Sequence, residues 1–328
     1  IIRMDGGKDW RVTDPDVRWE SADKFLPNTV FFFEDVELEH AIRADLIIDY
    51  WSGHPGTDDK KVRFNRDKWL PLPDGIEGAV RPAYEVAQTN LRLEVPLDHL
   101  LEGQNTLQGS CGNNDWGWGQ WGWYAAKLRI FYDPAAYQPT PVSVQLPDSS
   151  KTLSENPEIA LDGDTSRVLE ARFIARYVGP DENGDGKFDD FHGMFRKERF
   201  EGHIGTASEA PWQVTWETAW VPDQEPASIA IQALVKDDRG LWTASEVVDG
   251  LSLKREGYRV ALYTQTWAHT PLWVRNNGFK SAVMRIPQEE TLAHATDSVV
   301  YLRLWNGENG GKGGHTPTRI NTGPWMKT

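Results

Sequence analysis

Between Asp181 and Asp190 the chain reads DENGDGKFDD. Counting Asp181 as position one, side-chain oxygens fall at one, three and five, on Asp181, Asn183 and Asp185. Gly186 then stands where the backbone must turn sharply, Lys187 offers its main-chain carbonyl at seven, and Asp189 stands at nine. Hard oxygen donors in this order suit Ca2+.

The order is that of an EF-hand loop, with two departures. Position twelve is His192 rather than a bidentate Glu, which leaves Asp190 to supply the missing oxygen, and the flanks read as strands rather than helices. The expectation is a calcium loop inserted in a β-domain, stapling it rather than sensing calcium; the competing reading is a plain acidic turn. A weakly held structural Ca2+ belongs where calcium is millimolar, outside the cell. A second acidic turn, LDGDTSR, holds Asp162 and Asp164, and a lone D-G-D of this kind reads as a solvated turn.

The second concentration of chemistry is DWGWGQWGWY, residues 115–124, with four tryptophans spaced by glycine. Such rings either fill a core or form a platform on which a sugar face stacks while ring N–H groups bond hydroxyls. The following run, AAKLRIFYD, alternates with Ala126, Leu128, Ile130 and Tyr132 on one face and Lys127, Arg129 and Phe131 on the other. Carried back, this register turns Tyr124 inward and puts Trp121 and Trp123 on the outer face as the candidate ligand platform. Trp118 and Trp116 come next as ligand candidates; an unbroken register turns them inward, but the glycines favour a bulge at that point.

Evidence for catalysis is thin in the sequence. Glycoside hydrolysis needs two positioned carboxylates, and with 49 acidic residues no pair stands out. His192 and Arg196, beside the acidic loop, are the only local constellation to test for catalysis, and they read as surface charge around a metal loop. No nucleophile elbow, zinc-protease, P-loop or dinucleotide fingerprint occurs. The single cysteine, Cys111, excludes an internal disulfide and reads as a small buried hydrophobe.

The elements that must position these residues are strands. Sixteen tryptophans, 29 glycines and 20 prolines, with short alternating runs between turn signals, point to an all-β protein of tandem β-sandwiches. A net charge of −14 without a basic cluster argues against nucleic acid and anionic membrane, and no apolar run is long enough for a membrane span. Three units follow along 328 residues: 1–138, 139–253 and 254–328, the first boundary marked by a proline-bearing linker. The last unit repeats part of the first. ADLIIDYWSG (44–53) matches SVVYLRLWNG (298–307), and RFNRDKW (63–69) matches RINTGPW (319–325), with Asn65 and Asn321 each four residues before a Trp. Half a sandwich leaves strand edges unpaired, so the third unit is expected either to be a fragment of a longer chain or to be completed by another protein chain through strand donation.

The stretch EVPLDHLLEGQNTLQGSC, residues 94–111, resembles galactose-binding-like jelly-roll domains, as in the sugar-binding domains of family 2 glycoside hydrolases and many carbohydrate-binding modules. Gly103 permits its turn and Asn105 can bond its own backbone there. The middle unit's APWQVTWETAWVPDQEP and DDRGLW resemble bacterial immunoglobulin-like modules of large secreted proteins. The resemblances imply a jelly roll, an immunoglobulin-like sandwich and a partial second jelly roll. The function they imply is a secreted, non-catalytic protein that binds a polysaccharide or other glycan. The alternatives are a structural subunit of a fibre or surface layer, and a polysaccharide hydrolase or lyase.

Overall fold

The computed structural model describes residues 2–3, 10–51, 53, 56–72, 88–113, 119–147, 150–178, 202–263, 279, 281, 283–290, 292–298, 300 and 317–326. Nine strands build the first part: β1 (Ile2–Arg3), β2 (Arg11–Thr13), β3 (Phe31–Val36), β4 (Ala41–Trp51), β5 (Thr57–Phe64), β6 (Leu70–Pro71), β7 (Gln88–Val95), β8 (Gly103–Asn113) and β9 (Gln120–Tyr132). They form two antiparallel sheets, one ordered β1-β9-β4-β7 with β2 also on β9, the other β3-β8-β5-β6. Apart from the β5–β6 hairpin, the chain changes sheet at every step from β3 to β9. The protein is all-β, as its alternating sequence requires.

Period-two patterning sets the inner faces. On β5, Val62 and Phe64 are buried while Lys61 and Arg63 point away; on β4, Leu46, Ile48 and Tyr50 line the core. Trp10, Trp121 and Trp123 fill the space between the sheets. An indole buried in this way contributes about 3–5 kcal/mol relative to alanine. The fit needs glycine at 122, where a Cβ would stand 2.2 Å from the Trp10 carbonyl oxygen and 2.6 Å from its ring.

The 94–111 stretch folds as its residues suggest. Gly103 takes φ +82°, and the Asn105 side chain donates to the Leu101 and Gly103 carbonyls at 2.7 and 3.1 Å while accepting from the Leu101 N–H at 2.8 Å. Asn65, at the end of β5 with φ +49°, clamps this corner. Its amide donates to Asn105 Oδ1 at 2.6 Å and to the His99 carbonyl at 3.0 Å, and its Oδ1 accepts the Thr106 N–H at 2.9 Å.

A second sandwich has its own core around Phe173, Trp216 and Ile231. Its strands are β10 (Val142–Gln145), β11 (Thr152–Leu153), β12 (Glu158–Gly163), β13 (Val168–Arg176), β14 (His203–Ala207), β15 (Gln213–Thr215), β16 (Ile229–Asp237), β17 (Trp242–Ala244) and β18 (Val248–Leu253). One sheet runs β10-β12-β15, the other β11-β18-β16-β13-β14, with β17 on β16. Ile229, Ile231, Ala233 and Val235 all point inward, as their spacing predicts.

At the end of β16, the buried Asp237 ties this sandwich to the linker that precedes it. It accepts from the Arg239 and Leu241 main-chain N–H groups (2.9 and 3.1 Å), the Arg239 guanidinium (2.8 Å to Nε) and the Thr140 hydroxyl (3.3 Å). Arg239 also reaches the Gln138 carbonyl at 3.0 Å. Burial alone would raise this carboxyl's pKa, but the bonds donated by Arg239 and Leu241 outweigh it and hold the group below its ordinary value. A carboxyl with a lowered folded pKa contributes stability above its unfolded pKa of about 3.9 and loses it as pH falls through the folded value. We therefore expect the urea midpoint of the wild type to drop more steeply below about pH 4 than that of Asp237→Asn, which is less stable at neutral pH. Parallel midpoint-against-pH curves for the two proteins would contradict this role.

Candidate functional site

Where β2, β4 and β8 end and β5 and β9 begin, one end of the first sandwich gathers polar side chains. The first turn of β9 is locked from both sides. Gln120 donates through Nε2 to the Thr13 hydroxyl at 3.1 Å and accepts from Arg11 through Oε1 at 3.2 Å. Its main-chain N–H donates to the Thr57 hydroxyl at 3.1 Å, and that hydroxyl donates to its carbonyl, also at 3.1 Å. Thr13, Gln120 and Thr57 are buried, so each of these polar groups needs the partner it has.

An excursion from Asp14 to Asn28 leaves this frame and returns to it. At its start the Asp14 N–H bonds the Gly119 carbonyl at 2.8 Å. At its close Asn28 pairs with the Thr13 backbone twice, accepting the N–H and donating to the carbonyl, both at 2.8 Å. Between these anchors a short 3-10 turn, Glu20–Phe25, follows Trp19, whose side chain is half exposed, at 51%. The Arg11 guanidinium lies between aromatic faces, 4.7 Å from the Trp10 ring and 5.0 Å from Phe25.

Two carboxylates complete the site. Asp14 is buried and accepts the Asp16 N–H at 2.9 Å. Asp58 lies over the backbone of its partner in the sheet, Gly112: a Cβ there would stand 2.7 Å from Asp58 Oδ1. Both bear on Cys111, whose thiol is pushed well above its ordinary pKa, first by burial and then by Asp14 and Asp58, with Lys60 and Lys61 opposing. A thiol held protonated is no nucleophile, which agrees with a buried, inert Cys111. Chemically, this end offers carboxylate acceptors, a planar donor and an exposed indole on a rigid frame.

The expected platform is overturned. Trp121 and Trp123 are both 0% exposed and belong to the core. The cause is a bulge at Tyr124: Asp49 pairs with Ala125 and Tyr50 with Trp123, so one residue of β9 is left out of register. An extra residue reverses which parity of side chains faces inward. Ala126, Leu128 and Ile130 therefore pack on the core after the bulge, and Trp123 and Trp121 pack on it before. Trp121 packs edge-on to Tyr50, with centroids 6.0 Å apart, and donates its N–H to the Ser110 carbonyl at 3.1 Å. Neither ring offers a face to a ligand.

Trp116 and Trp118 lie outside the described residues. So do the calcium candidates Asp181, Asn183, Asp185, Lys187, Asp189 and Asp190, together with His192 and Arg196. The loop that carries them joins β13 to β14, which are antiparallel neighbours. Asp162 and Asp164 are exposed. Asp164 accepts from the Ser166 hydroxyl at 2.6 Å and its N–H at 3.0 Å, and these bonds hold its pKa below the ordinary value, as in a hydrogen-bonded turn. Among the described residues, no group of three or more His, Cys, Asp or Glu is placed to hold a metal ion.

Sequence reasoning missed Arg11, Asp14, Trp19 and Asp58. Their local stretches carry no motif; the pairing of β2 with β9 places Arg11, and that of β5 with β8 places Asp58, at the same end of the sandwich. Compared with known proteins, the chain matches no family model and no curated sequence.

Proposed function

We propose that this chain is a secreted, non-catalytic accessory protein that binds an uncharged or weakly charged polysaccharide at the loop end of its first sandwich. The observation that carries the reading is the excursion 14–28, pinned to Thr13 by Asn28, which carries the half-exposed indole of Trp19 at the end of the sandwich where Arg11, Asp14 and Asp58 also stand. Sugar rings are bound by that combination: an aromatic face takes the CH face, and carboxylates and guanidinium take hydroxyls. A net charge of −14 disfavours polyanionic ligands and leaves neutral ones favoured.

Calcium fits the same picture. In this reading the 181–190 loop binds Ca2+ and closes the β13–β14 connection, which stabilises the second sandwich outside the cell, where calcium is abundant.

Two measurements test this. In affinity electrophoresis against neutral plant, algal and bacterial polysaccharides, at least one is expected to retard the wild type. Trp19→Ala should weaken that retention by about tenfold or more while leaving the melting temperature unchanged. Absence of retention on every polymer, or full retention by both Trp19→Ala and Asp58→Ala, would overturn the site. For the metal, calcium at about a hundredfold excess over Kd stabilises a protein by about 2.7 kcal/mol. Calcium should therefore raise the melting temperature of the wild type but not that of Asp185→Ala; equal shifts would exclude this loop.

A further inference from the structure

The hairpin at residues 317–326 is built on the same plan as the β5–β6 hairpin of the first sandwich. Val62 pairs with Leu70, and the positions that match them in the repeat, Thr318 and Met326, pair with each other. The turn closes with the same bond, Asp67 N–H to Phe64 carbonyl at 2.8 Å and Gly323 N–H to Ile320 carbonyl at 2.9 Å. Asn65 and Asn321 both take the left-handed conformation, at φ +49° and +51°. A guanidinium covers an indole in each, Arg63 over Trp69 at 4.4 Å and Arg319 over Trp325 at 4.6 Å. Four separate features coincide at matched positions.

What differs is the covering. In the first copy β8 lies against the hairpin: Phe64 pairs with Leu107 and is 0% exposed, and Asn65 holds Asn105, His99 and Thr106. In the second copy the residue matching Phe64, Ile320, is 46% exposed, and Met326 and Trp325 are exposed with it. The side chain of Asn321 has no hydrogen-bond partner among the described residues. Its backbone is nonetheless held in the left-handed conformation, which Asn adopts more readily than other residues with a Cβ. In the first copy that conformation serves to aim the clamping amide at β8.

We propose that the 317–326 hairpin is an acceptor for one antiparallel β-strand of the β8 type. The occupant has an aliphatic residue opposite Ile320, and two residues before it an Asn that receives the Asn321 amide. Strand addition of this kind takes its affinity from main-chain hydrogen bonds and its selectivity from the pocketed side chains. The assignment rests on the matched hairpins and is independent of glycan binding.

The probe is a synthetic peptide of residues 96–113 carrying Cys111→Ser, added to the full chain. Hydrogen exchange at the amides of residues 318–322 is the readout. The peptide should slow exchange there by about tenfold or more, a shift lost in Ile320→Asp, which sets a charge on the seat. It should also be lost in Asn321→Gly, which keeps the left-handed turn and removes the clamp, and with a peptide carrying Asn105→Ala. Unchanged exchange with the peptide, or protection that survives Ile320→Asp, would overturn the assignment. So would sedimentation of the free protein as a dimer that Ile320→Asp separates, because a second copy would then cover the hairpin.

Discussion

Two indoles packed between two sheets set the terms for the first sandwich. Trp121 and Trp123 lie on the same inner face of β9, and the strand can present both only because it gains a residue at Tyr124. Before the bulge β9 delivers its largest side chains to the core, and after it the strand continues with Ala126, Leu128 and Ile130. The glycine at 122 lets Trp10 lie against the strand, which brings β2 to β9. Trp10 in turn meets Trp51 edge-on at 5.7 Å, joining the last residue of β4 to the same cluster. Removing the bulge would turn both indoles to solvent and leave a void between the sheets too large to close by local relaxation.

The loop end inherits its rigidity from this arrangement. Because β2 is held against the start of β9, Thr13 faces Gln120, and the buried bonds among Arg11, Thr13, Gln120 and Thr57 can form. Those bonds in turn anchor the excursion that carries Trp19. On the proposed reading, a ligand surface built on such a frame would lose little conformational entropy on binding, so that a modest patch of polar and aromatic side chains could hold a sugar. Exposed and core-filling tryptophans are thus separate sets within one domain. The core set is fixed by sheet register, and Trp19 is carried by a loop pinned to the sheet.

Much of the fold was legible in the sequence because period-two patterning is a local signal. The inward face of β16, the alternation along β9 after Tyr124, the turn at Gly103 and the self-bonded Asn105 could all be read from neighbouring residues. Of the repeat, the match of 63–69 with 319–325 has a structural counterpart in the hairpins at 62–70 and 318–326, while most of 298–307 lies outside the described residues. The side of the sheet on which Trp121 and Trp123 lie was not. Glycines at 117, 119 and 122 suggested a bulge, but its position one residue beyond Trp123 depends on the pairing with β4, a contact about seventy residues away in sequence. The loop-end site was illegible for the same reason, since only sheet pairing brings Arg11 on β2 and Asp58 on β5 to the same end of the sandwich.

The most direct test of this account is hydrogen exchange of the tryptophan indole N–H groups, followed by NMR on the folded protein. Trp121 and Trp123 are expected to exchange slowest of all, at the rate of global unfolding, and Trp19 at nearly the rate of a free indole. Rapid exchange at Trp121 and Trp123 would show that β9 runs without its bulge, return both rings to the sheet surface and contradict the separation of core from exposed tryptophans.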